Sequence, residues 1–142
     1  MTTSVLNSVV VGIDGSPNSV GALHLAVSEA LRRHSGLDIV YVAPPDASDA
    51  QVAGAYEMLA EIVAREFPEG VAVDIRYQVR CGDPAPMLLS ESFGAPLLVL
   101  GGPAQAECSR LFGTRTVSRC LMHGRCSIEV SLDYDYDRHH GK

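Results

Sequence analysis

The sequence predicts an α/β domain built on an open, five-stranded parallel sheet of order 3-2-1-4-5 with helices on both faces. Three observations carry this expectation. The segments SVVVGID (residues 8–14) and LLVL (97–100) are unbroken apolar runs of the kind that strands buried on both faces require. Two other segments, VAVDIRYQV (71–79) and CSIEVSL (126–132), alternate apolar and polar residues as half-exposed edge strands do. Between the strands lie stretches with helical spacing, giving the order βαβαβαβαβ, and parallel neighbours need such long right-handed crossovers.

Each element has its own signals. After strand one, Gly15, Ser16 and Pro17 form a turn, and Val20, Leu23, Val27, Ala30 and Leu31 then recur at helical spacing up to the stop signal at Gly36. LDIVYVA (37–43) is strand two, closed by Pro44 and Pro45. A second helix follows, carrying Val52, Tyr56, Leu59, Ile62, Val63 and Phe67. Glu69 and Gly70 turn the chain into strand three, expected from Val71. Asp83 and Pro84 supply a cap and first position for a short third helix with Met87, Leu88 and Leu89, ending near Phe93 and Gly94. Strand four is LLVL; a loop and a helix from about Thr116 to His123 lead to strand five.

The chain has 142 residues, the size of one domain, here expected over residues 1–132 with an exposed tail at 133–142. No apolar run approaches the roughly 18 to 20 residues of a membrane span. The apolar N-terminal segment has no basic residue ahead of it and reads as a strand rather than a leader, which places the protein in the cytoplasm as an expectation. A net charge of −6 without a Lys/Arg cluster opposes nucleic-acid binding. Cys81, Cys108, Cys120 and Cys126 form no C-x-x-C pair, so reduced thiols are expected. The sole lysine is Lys142, which excludes any mechanism that needs an internal lysine.

In an open parallel sheet ligands bind at the carboxyl ends of the strands where the winding reverses, here between strands one and four. Asp14 ends strand one and can accept hydrogen bonds from a ribose or an adenine edge; its plainer role is to cap the following turn. Gly12 and Gly15 do not make G-x-G-x-x-G, and without an internal lysine there is no G-x-x-x-x-G-K-[ST]. The remaining phosphate candidate is the loop after strand four, LVLGGPAQAECSRLFGTRTVS (98–118), since amides of a glycine-rich turn entering a helix can surround phosphate oxygens. Cys120, His123 and Cys126 are spaced three apart but lack a fourth ligand and read as ordinary helix and strand residues. No nucleophile elbow or paired base is present.

Taken in order, V-V-G-I-D-G-S, V-Y-V-A-P, G-D-P and L-L-V-L-G followed by T-V-S-R-x-L-x-H-x-x-C resemble the universal stress protein family over roughly residues 7 to 132. The resemblance implies a Rossmann-like domain, usually a cytoplasmic homodimer built through its last strand, here Cys126 to Leu132, and associated with survival under stress. It also implies ATP, accompanied by Mg²⁺, or another adenine nucleotide held by an Asp after strand one, a Val near the end of strand two and a loop G-x2-G-x9-G-[ST]. Asp14 and Val42 match the first two. The loop departs from the pattern: with Gly101 first, the second glycine becomes Ala104 and the closing pair Gly113-Thr114 comes one residue early. With Gly102 first, the spacing holds but Gln105 and Arg115 replace glycines, ahead of Thr116. Glu107 adds negative charge near a triphosphate. The expectation is a dimeric, nucleotide-responsive module with no catalytic residues and an unidentified protein partner. The alternatives are a nucleotide-independent interaction protein with a decayed pocket and, with least support, a slow ATP hydrolase.

Overall fold

The computed structural model describes residues 8–102 and 127–132. Its elements are β1 (Val9–Gly12), α1 (Pro17–Arg33), β2 (Leu37–Ala43), α2 (Asp49–Glu66), β3 (Ile75–Cys81), α3 (Pro84–Glu91), β4 (Leu97–Gly102) and β5 (Ser127–Leu132). The strands form one parallel sheet in the order β3-β2-β1-β4-β5, as the sequence predicts. The expected helix at 116–123, the trio Cys120, His123 and Cys126, and the tail 133–142 lie outside the described residues.

The pleat divides the core in two. Val9, Val11, Ile39, Leu97 and Val99 point to one face, where they meet Ala22, Leu23, Ala26 and Val27 of α1 and Ala55, Leu59 and Ile62 of α2. Val10, Val40, Val42, Leu98 and Leu100 point to the other, against Ala85 and Leu88 of α3. This is the outcome of right-handed crossovers: the chain moves outward from β1 to β3 under α1 and α2, then returns to β4 under α3 on the opposite face. Val9–Gly12 and Leu97–Leu100 are fully buried, which explains why their sequences do not alternate.

Local signals set the helix ends. Ser16 caps α1 by accepting the Ser19 N–H at 3.3 Å, with Pro17 as the first helical residue. Ser48 and Gln51 form a reciprocal capping box on α2, at 3.1 and 2.7 Å. Asp83 occupies the cap position of α3 but makes no side-chain capping bond. The two helices of the first face are joined by the buried Glu66 carboxylate of α2, which holds His24 Nε2 of α1 at 2.7 Å as well as Arg65 Nε of its own helix at 3.2 Å, and by the His24 ring, 4.8 Å from that of Phe67.

Two boundaries differ from expectation. α1 is stopped by His34 in the left-handed region (φ 54°), two residues before the glycine that the sequence suggested, with the N–H of Ser35 returning to the Ala30 carbonyl at 2.9 Å. β3 begins at Ile75 rather than Val71, because β2 begins only at Leu37, whose N–H bonds to the Asp74 carbonyl at 2.9 Å. Residues 71–74 have no strand beside them, and with Leu31, His34, Ser35 and Gly36 they line a cleft of about 380 Å³ at the amino end of the sheet.

Leu88 is completely buried and, with Ala85, anchors the sole described helix on its face. Leu88→Ala should therefore cost about 2–5 kcal/mol of unfolding free energy, read as a lower urea midpoint with an unchanged slope.

Candidate functional site

The carboxyl end of the sheet has a notch because β1 stops short of its neighbours. Its register ends at Gly12↔Val40 on one side and Val11↔Val99 on the other, whereas β2 continues to Ala43 and β4 to Gly102. This is the switch point, with β2 and β4 as walls.

The ladder also fixes what Val42 offers. A strand residue projects its N–H and C=O to the same side, and the side alternates along the strand. The Ile13 N–H bonds to the Val40 carbonyl at 2.9 Å, and the Gly82 N–H bonds to the Ala43 carbonyl at 2.9 Å. Val40 thus addresses β1 and Ala43 addresses β3, so the Val42 backbone points to the β1 side, beyond the last residue in register. Its side chain is buried on the α3 face. Val42 therefore presents a donor and an acceptor side by side along the notch, suited to the edge of a planar base.

Asp14 begins the turn out of β1. It is half-buried, and its Oδ1 accepts the Ser16 N–H at 2.9 Å. This local bond orients the carboxylate, and among the described residues Oδ2 accepts no hydrogen bond. Gly15 takes a positive φ of 86°, and its Cα faces the sulfur of Met58 from α2, 3.8 Å from where a Cβ would stand. At the start of α1 the Ser16 and Ser19 amides are already engaged. Pro17 has no N–H, and Ser16 Oγ and the Ser16 carbonyl take the Ser19 N–H, while the Ser19 hydroxyl donates to the same carbonyl at 2.8 Å. Anions are held at helix N-termini by unengaged amides.

Gly101 has a structural explanation of its own. A Cβ on it would strike the Asn18 carbonyl and lie 2.8 Å from the Ser19 nitrogen, so α1 closes on β4 only because residue 101 has no side chain. The obstacle is backbone, which cannot turn aside. Gly102 ends β4. Gly113, Thr114 and Thr116 lie outside the described residues, so of the seven expected site residues the described structure places Asp14, Val42, Gly101 and Gly102 around the notch. Among the described residues no three His, Cys, Asp or Glu side chains cluster as metal ligands, and no helix is long and apolar enough to cross a membrane.

The model of the universal stress protein family matches residues 6–130. The chain belongs to the universal stress protein family. It is 35% identical over 99 residues to universal stress protein Rv3134c of Mycobacterium tuberculosis, covering 66% of this chain and 37% of that protein. It thus spans well under half the length of this relative. The solved UspA of Lactobacillus plantarum is similar in fold, with a TM-score of 0.71, 20% identity and coverage of 91% of this chain and 99% of that one. A universal stress protein solved in complex with cAMP gives a TM-score of 0.68 and 26% identity, with 87% and 94% covered.

Sequence reasoning passed over Ser16, Asn18 and Met58 as shapers of this universal stress protein's site. The Ser16-Pro17 pair was a readable signal for a closed helix start; Met58 reaches Gly15 from another helix and left no trace in local sequence. Gly101→Ala should overpack the α1–β4 contact and cost about 1–3 kcal/mol. The readout is the melting temperature of nucleotide-free protein, which would stay unchanged if Gly101 served a ligand alone.

Proposed function

We propose that this universal stress protein is a small dimeric binding module of the stress response that holds an adenine nucleotide in the notch between β1 and β4. The observation that carries this reading is the Val42 backbone edge beside the Asp14 carboxylate. One suits an adenine edge and the other a ribose hydroxyl, and a base and a sugar are the parts of a nucleotide that need no phosphate loop. The neighbour that is 26% identical, in complex with cAMP, supports the same class of ligand. ATP remains within this reading; the described residues supply no carboxylate cluster for Mg²⁺, which would travel with the nucleotide phosphates. No catalytic step is assigned, and the cytoplasm is the compartment proposed.

Dimerisation through β5 is part of the proposal. The sheet has two edges, and β3 is guarded: the alternation that turns Gly82 toward β2 turns Val79 outward, and its N–H is taken by the Tyr56 hydroxyl of α2 at 3.4 Å. Arg76 and Arg80 add charge to that strand, a common device against edge pairing. β5 carries the other edge. Val130 is in register with Leu100, and an interface through this strand would use its backbone edge. Light scattering should return twice the 15.1 kDa chain mass, and a single chain mass at tens of micromolar would remove the dimer from this account.

A second reading, a nucleotide-independent interaction protein, is favoured by one observation: Gly101 is needed for packing with or without a ligand. Calorimetric titration with AMP, cAMP and Mg²⁺-ATP separates the two. Micromolar binding of any of these, weakened at least about tenfold in Asp14→Ala, a loss of about 1.4 kcal/mol, is the expected outcome. Absence of heat together with no thermal stabilisation at millimolar nucleotide would leave the nucleotide-independent reading.

A further inference from the structure

At the amino end of the sheet, far along β2 from the notch, Asp38 sits in register with Val10 of β1 and Arg76 of β3. It is 4% exposed, on the face that otherwise holds Val10, Val40, Leu88 and Leu98. Its Oδ1 is buried and accepts no hydrogen bond among the described residues. The nearest described cation, Arg76 Nε, is 3.8 Å away on a side chain that is 47% exposed, while Arg80, further along the same face of β3, is turned to Glu91 of α3 at 2.9 Å. Among the described residues, the charged groups facing Asp38 are thus Arg76 and Arg80 from β3 and Glu91 from α3; its partner on β1 is a valine. A buried carboxylate without a donor is costly, and a loose arginine beyond hydrogen-bond distance compensates little of that cost.

We propose that Asp38 and Arg76 form an acid-responsive contact at the β2–β3 edge, in which ionised Asp38 loosens the edge at neutral pH and protonation of Asp38 tightens it. Burial raises the Asp38 pKa above its ordinary value of 3.8; Arg76 opposes this, Glu91 adds to it and Arg80 opposes it. The folded protein therefore holds this proton more tightly than the unfolded chain. Stability from Asp38 is full below the unfolded value and is lost as pH rises through the folded one. Glu29 acts in the opposite sense: hydrogen bonding from Arg32 lowers its pKa, so its contribution is lost on acidification. The effect of Asp38 must accordingly be read as a difference between native protein and Asp38→Asn.

Asp38→Asn should melt above native protein at pH 7, with the gap closing as pH falls toward 4. Hydrogen exchange of β3 amides, corrected for intrinsic rates, should show protection in native protein rising on acidification, by at most about tenfold per pH unit for one proton. The variant should lack that rise. A variant that melts lower by the same margin at every pH would overturn the proposal. Should Asp38→Asn fail to fold, the ¹³Cγ shift of Asp38 in the native chain decides: titration above the ordinary carboxylate range supports the proposal, and titration within or below it overturns it.

Discussion

Helix α1 can lie across β4 only where β4 has no side chain to offer it. At Gly101 the Asn18 carbonyl and the Ser19 nitrogen occupy the space a Cβ would need, so two backbones meet directly. The rest of the carboxyl end follows from that contact. It fixes the height of the first turn of α1 above the sheet, and with it the short turn Asp14–Ser16 that must join β1 to the helix. A turn this tight uses Gly15 in the left-handed region and leaves Asp14 at the lip of the notch, oriented by the Ser16 N–H. It also engages part of the helix's own donors: Pro17 has none, and Ser16 takes that of Ser19. A nucleotide in the notch, as proposed, would meet the Asp14 carboxylate at the β1 turn.

How much of this was legible depends on the range of the interaction concerned. Strand order followed from which apolar runs alternate, because burial on one or both faces is written locally in each strand. Among helix caps, the sequence points to Asp83, which makes no side-chain capping bond, and the caps that form, Ser16 on α1 and the Ser48–Gln51 pair on α2, are passed over, although these act within three positions. The start of β3 was misplaced because Val71–Asp74 alternates correctly but has no partner: where a ladder begins is decided by the neighbouring strand, here by Leu37. The stop of α1 was misplaced for a similar reason. The chain must turn before Gly36, whose carbonyl receives the Val9 N–H at 3.0 Å, so His34 takes the left-handed conformation despite its Cβ. At the proposed site, Asp14 and Val42 are named by family resemblance, and that Val42 would offer its backbone rather than its side chain follows only from register. The packing role of Gly101 is not legible, since a glycine looks the same in sequence whether a ligand or a helix fills its missing side chain.

The two aspartates at opposite ends of the sheet show that position in the ladder, not residue type, assigns the chemistry. Asp14 lies past the end of its strand, where the backbone turns and the Ser16 amide donates to it locally; the carboxylate is half-buried and oriented by that bond. Asp38 lies inside its strand, where every backbone amide is committed to the ladder and only side chains of neighbouring strands can answer it. Arg76 is the residue in register, but its guanidinium extends toward solvent, and Arg80 is held by Glu91. Among the described residues, the same ladder that gives Val42 an open edge at the carboxyl end therefore leaves Asp38 Oδ1 without a donor at the amino end. A carboxylate in the first setting favours binding, and in the second it makes the stability of the β2–β3 edge depend on its proton.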